Sequence, residues 1–223
     1  QLVSSPEVIF SDKSLYSAFP SIAKDPKTNE LFLSFRVAKQ RNELTHVDKT
    51  AHVKLWRSTD KGVSWKQFAV IAQPNNSIQE ASLFMTPEST LLAHTYQWDK
   101  LTTSKNSYNQ FTNNSDDKFG LYGGRIFQYN LKDKKWTQGR LPGIPQNHAT
   151  LNNKPVPSFN RGTTAMDKNG RLYMASYVFD SPAPSRKFST YLIVSDDKGL
   201  SWKVQSLIAS HSTASLNETS IYI

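Results

Sequence analysis

A chain of 223 residues, 37% hydrophobic and 12% aromatic, holds enough apolar material for a packed globular unit and is not a disordered polymer. It has no cysteine, which excludes disulfides and thiolate metal sites, and no apolar run approaches the roughly 20 residues of a membrane-spanning helix. The formal charge of +9 would suit an anionic partner, but the Lys and Arg residues are scattered and no nucleic-acid motif accompanies them, so no nucleic-acid partner is expected.

In chain order, Gln1-Leu2-Val3-Ser4-Ser5 carries no signal-peptide pattern, so a secreted or periplasmic location requires a leader removed from this sequence. The first unit then opens with an apolar segment ending Pro20-Ser21-Ile22-Ala23, turns at Lys24-Asp25, and continues as the strand Leu31 to Phe35. A polar stretch from Val37 to Thr50 reads as an exposed loop, and the strand Ala51 to Trp56 leads into the octapeptide Ser58-Thr59-Asp60-Lys61-Gly62-Val63-Ser64-Trp65 and a further strand, Lys66 to Ile71.

The second unit repeats the order: Ala81 to Met85, Leu91 to Tyr96, a long polar stretch from Gln97 to Tyr122 read as a loop, then Gly124 to Tyr129. Its last turn, Asn130-Leu131-Lys132-Asp133-Lys134-Lys135-Trp136, lacks a glycine. The third runs from Thr163 to Asp167, Leu172 to Tyr177, a loop over Phe179 to Ser189, and Thr190 to Val194. It then reaches Ser195-Asp196-Asp197-Lys198-Gly199-Leu200-Ser201-Trp202 and the strand Lys203 to Ile208. The two octapeptides share the pattern S-x-D-x-G-x-S-W. In each, the Asp accepts hydrogen bonds from turn N–H groups, the Gly takes the φ > 0 position, and the Trp leaves the turn to cover apolar surface. Trp65, Trp136 and Trp202 thus mark one place in three repeats of four strands, the sequence pattern of propeller blades.

This octapeptide resembles the Asp-box, and the chain is similar to the sialidase (neuraminidase) superfamily of β-propellers. The resemblance implies an all-β fold of six blades, of which this chain supplies blade 1 at about 16–72, blade 2 at about 78–142, blade 3 at about 157–209 and the start of blade 4 at about 215–223. On that reading the chain is the N-terminal half of a propeller whose remaining blades come from a missing segment or a second chain. Ser58, Asp60, Gly62, Trp65, Ser195, Asp197, Gly199 and Trp202 are then structural, on the rim opposite the active site.

The same resemblance implies a sialidase-like glycoside hydrolase acting on a terminal glycan residue, an exo-α-sialidase or a relative, whose partner is a glycan or sialoglycoconjugate. In that family a Tyr nucleophile is activated by a Glu, an Asp serves as acid and base, and three Arg clamp the sugar carboxylate. By position, Asp48 takes the acid/base role, and Glu218 activates a Tyr not found at a matching position in this chain. Arg36 and Arg161 are candidates for substrate charge recognition, and Trp98, with Tyr96 and Tyr108, for stacking on sugar rings. Ala18, in Tyr16-Ser17-Ala18-Phe19-Pro20-Ser21-Ile22, stands where the first clamp Arg is expected, which favours the alternative of a non-catalytic Asp-box propeller that binds glycan or protein. The five His lack metal-ligand spacing, so no metal and no cofactor are expected.

Overall fold

The computed structural model describes residues 7–43, 46–73, 76–100, 110–112, 118–140, 158, 160–179, 188–216 and 218–223. Among them there are thirteen β-strands and no helix: β1 (Leu15–Lys24), β2 (Leu31–Lys39), β3 (His52–Ser58), β4 (Lys66–Ile71), β5 (Asn76–Met85), β6 (Thr90–Lys100), β7 (Gln110–Thr112), β8 (Lys118–Asn130), β9 (Lys135–Arg140), β10 (Thr164–Met166), β11 (Leu172–Phe179), β12 (Phe188–Ser195) and β13 (Lys203–Ala209). They form three antiparallel sheets in the orders β1-β2-β3-β4, β5-β6-β8-β7 and β10-β11-β12-β13. Strand β8 is long enough to pair twice beyond β6, with β7 through its first residues and with β9 through its last. A path β5-β6-β8-β9 therefore repeats the connectivity of the other two sheets.

One expectation needs correcting. Part of the stretch from Gln97 to Tyr122 is strand, because β6 runs on to Lys100 and pairs with β8 as far as Lys100↔Phe119. Gln97, which reads as loop, is on a strand paired on both sides, fully buried, and its Nε2 donates to Oγ1 of the equally buried Thr95 at 2.8 Å. Likewise Val37 to Lys39 finish β2.

The apolar faces of neighbouring sheets make the core. Phe32, Leu55 and Ile71 of the first sheet pack on Ile78, Leu83, Leu91 and Phe127 of the second. Ile126 of the second packs with Met174, Val178 and Ile193 of the third. Each fully buried side chain of this size contributes about 1.5–3 kcal/mol through removal from water. Buried polar groups tie the same interfaces: Ser34 Oγ donates to the Ala81 carbonyl at 2.7 Å, and the Leu83 N–H donates to Ser21 Oγ at 3.0 Å.

Register orients the sheets. Arg36 pairs with Ala18 and Val53 near one end of the first sheet, whereas Leu31 pairs with Ser58 at the other. In the second sheet Glu80↔Tyr96 and Thr90↔Asn130 mark the same two ends, and in the third Phe179↔Phe188 and Leu172↔Ser195 do so. The three Trp turns therefore all lie at one end, opposite Arg36, Glu80 and Tyr177.

The two octapeptides fold identically. Asp60 Oδ1 accepts from the Ser64 N–H at 2.9 Å and from Ser58 Oγ at 2.7 Å, and the Gly62 N–H donates to Ser58 Oγ at 2.8 Å. Asp197 and Ser195 repeat all three bonds at 2.8 Å. Trp65 Nε1 and Trp202 Nε1 donate back to the carbonyls of Gly62 and Gly199. Each glycine is at positive φ, 95° and 89°, and so is the lysine before it, 62° and 61°. In the turn without glycine, Lys134 takes φ 52° and Asn130 Oδ1 caps the Lys132 and Asp133 N–H groups. Trp65 and Trp202 are half-buried rather than largely buried, since one ring edge stays with the turn it closes.

Candidate functional site

At the end opposite the Trp turns, the first strands of the first two sheets, β1 and β5, approach residues 161–163 and 218–221. Both β1 and β5 are bulged there, between Ala18 and Ser21 and between Ile78 and Glu80. A bulge re-aims side chains at a sheet rim. The first turns Phe19, at φ 54°, towards the Arg161 guanidinium, 5.2 Å from its ring centroid, and towards the His46 ring at 5.9 Å. The second presents Gln79 and Glu80, both buried.

Arg161 is the centre of the cluster. Its Nε donates to Glu80 Oε1 at 2.7 Å, and one terminal nitrogen donates to Glu218 Oε1. Gly162 makes this contact feasible: a Cβ there would stand 2.2 Å from the Thr219 carbonyl oxygen, so only glycine lets the two backbones pass so closely. Thr163 Oγ1 fastens the same crossing by donating to the Ile221 carbonyl at 3.1 Å.

Burial pushes the Glu80 carboxyl up and the Glu218 charge adds to it, against the pull of Arg161. Arg161 moves the opposite way to its partner's ease of ionisation: burial opposes its charge, yet the bond to Glu80 holds it more firmly protonated. A guanidinium keeps its proton at any accessible pH, so Glu80 is the titrating member and its upward direction is the one with consequences. His46 Nδ1 accepts from Gln79 Nε2 at 3.0 Å. Partial burial, then the charges of Arg161 and Arg36, keep it below the usual histidine range. Beneath lie Val47, Tyr96, Trp98, Phe119 and Tyr177, a small apolar floor. Burial pushes the hydroxyls of Tyr96 and Tyr177 well up, so neither is predisposed to be a nucleophile.

The residues picked from sequence are distributed as follows. Arg161 and Glu218 meet. Arg36 is 1% exposed, stacked 5.7 Å from the Tyr16 ring and in the field of Asp48 and Glu80. Asp48 borders the cluster but is occupied: Oδ2 accepts from Arg41 Nε at 2.6 Å, and Oδ1 from the Thr50 N–H at 2.8 Å and Thr50 Oγ1 at 2.6 Å. Burial would push its carboxyl up, but these bonds outweigh it and hold it below the usual range. Trp98 is buried and donates to Gln79 Oε1 at 3.1 Å, so its ring supports the floor from below. Tyr108 lies outside the described residues. The eight octapeptide residues are at the far end.

Sequence reading passed over Glu80, Gln79, Phe19 and Tyr177. The signal for Glu80 was the repeat itself: it immediately precedes the apolar segment Ala81 to Met85 that opens the second unit, as Arg161 precedes the one that opens the third. Among the described residues no group of three or more His, Asp or Glu is arranged to hold a metal ion, and no helix is long and apolar enough to cross a membrane.

No protein-family model matches the chain, and no curated protein matches it. Solved structures do. A protein of unknown function from Dyadobacter fermentans is similar at a TM-score of 0.82 and 28% identity, over 96% of this chain and 61% of that one. The Hadza microbial sialidase Hz136 superposes at a TM-score of 0.60 with 14% identity, over 89% of this chain and 39% of the sialidase. The NanB sialidase from Streptococcus pneumoniae superposes at 0.59 with 11% identity, over 90% and 46%. The fold is sialidase-like and all-β. The chain spans about three fifths of the Dyadobacter protein's length and less than half of either sialidase.

Proposed function

We propose that the converging strand ends form the sugar-binding mouth of a sialidase-like propeller, and that the protein is a glycoside hydrolase acting on a terminal glycan residue. The observation that carries this reading is the pair of carboxyls, Glu80 and Glu218, set on one guanidinium at the mouth end of the sheets, one of them pushed towards holding a proton. Glycoside cleavage needs a proton donor for the leaving oxygen and a second carboxylate that stays ionised.

Asp48 was the position for the acid on the family pattern; its three hydrogen bonds and lowered pKa suit it better to holding Arg41 and the turn before β3. We assign proton donation to Glu80, and to Glu218 the activation of a tyrosine other than Tyr96 and Tyr177. The non-catalytic alternative is favoured by one feature, Ala18 opposite Arg36, where the resembled family has a clamp arginine.

The test is release of the terminal sugar from an unactivated glycan, whose leaving alcohol oxygen needs the proton, by the full-length protein and by Glu80→Gln. A proton donor contributes about 10²–10⁴-fold, so the variant should lose that much with its sheet signal intact. Activity should rise as pH falls towards the raised Glu80 pKa. Equal turnover by both proteins would take proton donation away from Glu80, and none by either would leave the binding reading in its place.

A further inference from the structure

Resting on the reading of this mouth as a sugar site, we infer that its ligand is an uncharged sugar and not a carboxylated one. Recognition of a sugar carboxylate requires a guanidinium fork turned to the substrate. The two guanidinium groups seen bonded to carboxylates at this end, those of Arg161 and Arg41, are instead engaged with the chain's own groups. Arg161 is bonded to both Glu80 and Glu218. Arg41 is bonded to Asp48. Arg36 is buried against Tyr16, in the field of Asp48 and Glu80.

The guanidinium groups of Arg161 and Arg41 are thus taken up by Glu80, Glu218 and Asp48, and His46, held below the usual histidine range, adds no charge at neutral pH. Ala18 removes a fourth cation at the register position beside Arg36. A carboxylated sugar would have to displace Glu80 or Glu218 from Arg161, exchanging an existing ion pair for a new one and leaving the displaced carboxylate unpaired next to the incoming one. A neutral sugar meets no such cost. Its hydroxyls can donate to the outward oxygen of Glu218, whose side chain is 53% exposed, and its ring can lie on Phe19.

The experiment is binding at pH 7 to immobilised glycans that end in neutral hexoses, 6-deoxyhexoses or N-acetylhexosamines, against the same glycans capped with N-acetylneuraminic acid. The uncapped glycans should bind more tightly, with little change as salt is raised, because no net charge is recognised. Glu218→Gln, checked for its sheet signal by circular dichroism, should improve binding of the capped glycans about two- to fivefold, the scale of a partly exposed ion pair. Tighter, salt-sensitive binding of the capped glycans by the unaltered protein would overturn the inference and leave the sugar site standing. Retention of neither class would overturn the sugar site, and the inference with it.

Discussion

The two ends of these sheets are built by opposite means. Each Trp turn is made within eight consecutive residues: Ser58, Asp60, Gly62 and Ser64 satisfy one another, and Ser195, Asp197, Gly199 and Ser201 do the same 137 positions later. The mouth draws Phe19, His46, Glu80, Arg161 and Glu218 from separate segments, and no two of them are neighbours in sequence. A local device tolerates any surroundings that leave its turn intact. A convergent one exists only when every sheet is in place, and it holds groups that folding alone would not choose, such as a buried carboxyl pushed up and a phenylalanine at φ 54°.

That contrast predicts that the mouth governs chemistry and the turns govern stability. The largest effect should come at the mouth. If Asp48→Asn loses more turnover than Glu80→Gln, relative to the fraction folded, acid/base chemistry belongs to Asp48 and the division made here is wrong. About 10²–10⁴-fold loss is expected in Glu80→Gln, and in Asp48→Asn mainly a loss of about 1–3 kcal/mol of stability, read from urea titrations.

Next in size is a pH effect between the second and third sheets. His94 is fully enclosed, its ring 5.7 Å from that of Trp202 and its Nδ1 3.1 Å from Thr164 Oγ1. Burial pushes its pKa down to about 3. The unfolded chain then takes up a proton below about pH 6.5 that the folded chain refuses, so stability present above that pH is lost as pH falls. The loss should be about 2 kcal/mol between pH 7 and pH 5, and His94→Leu should flatten that slope in urea titrations.

The two octapeptides sharpen the comparison, since one of them is no longer purely local. Gly199 packs on Leu92 and Leu172, and its carbonyl accepts from Gln128 Nε2 across the sheet interface, whereas Gly62 faces only Leu31 and its own Trp65. Asp197→Ala should therefore lower stability by about 1–3 kcal/mol through unpaired turn donors. Asp60→Ala should shift the thermal midpoint in the same direction but by less, and neither should change sugar binding. Equal shifts would show that the contact across the interface adds nothing.

The smallest effect belongs to the turn without glycine. Lys134→Gly relieves a left-handed lysine and should raise stability by up to about 1 kcal/mol, measurable as a small rise in melting temperature.

How much could be read beforehand follows from the same difference. The turns were legible because their hydrogen bonds join residues two and four apart, and the strands before and after them because apolar runs alternate with turn residues. The continuation of β6 was not, since Gln97 looks like loop until β5 and β8 bury it from both sides. At the mouth, Arg161 and Glu218 could be picked singly from the repeat. Their meeting could not, because it depends on Gly162 letting residue 219 pass within a distance no side chain allows.

The central claim is that a sugar binds at the mouth and not at the turns, and the most direct measurement is a crystal structure of the protein with a neutral saccharide. The account predicts the ring against Phe19 with hydroxyls in hydrogen-bond reach of Glu218 and Glu80. A sugar seated instead on Asp60 or Asp197, with the Arg161 cluster unchanged, would contradict it.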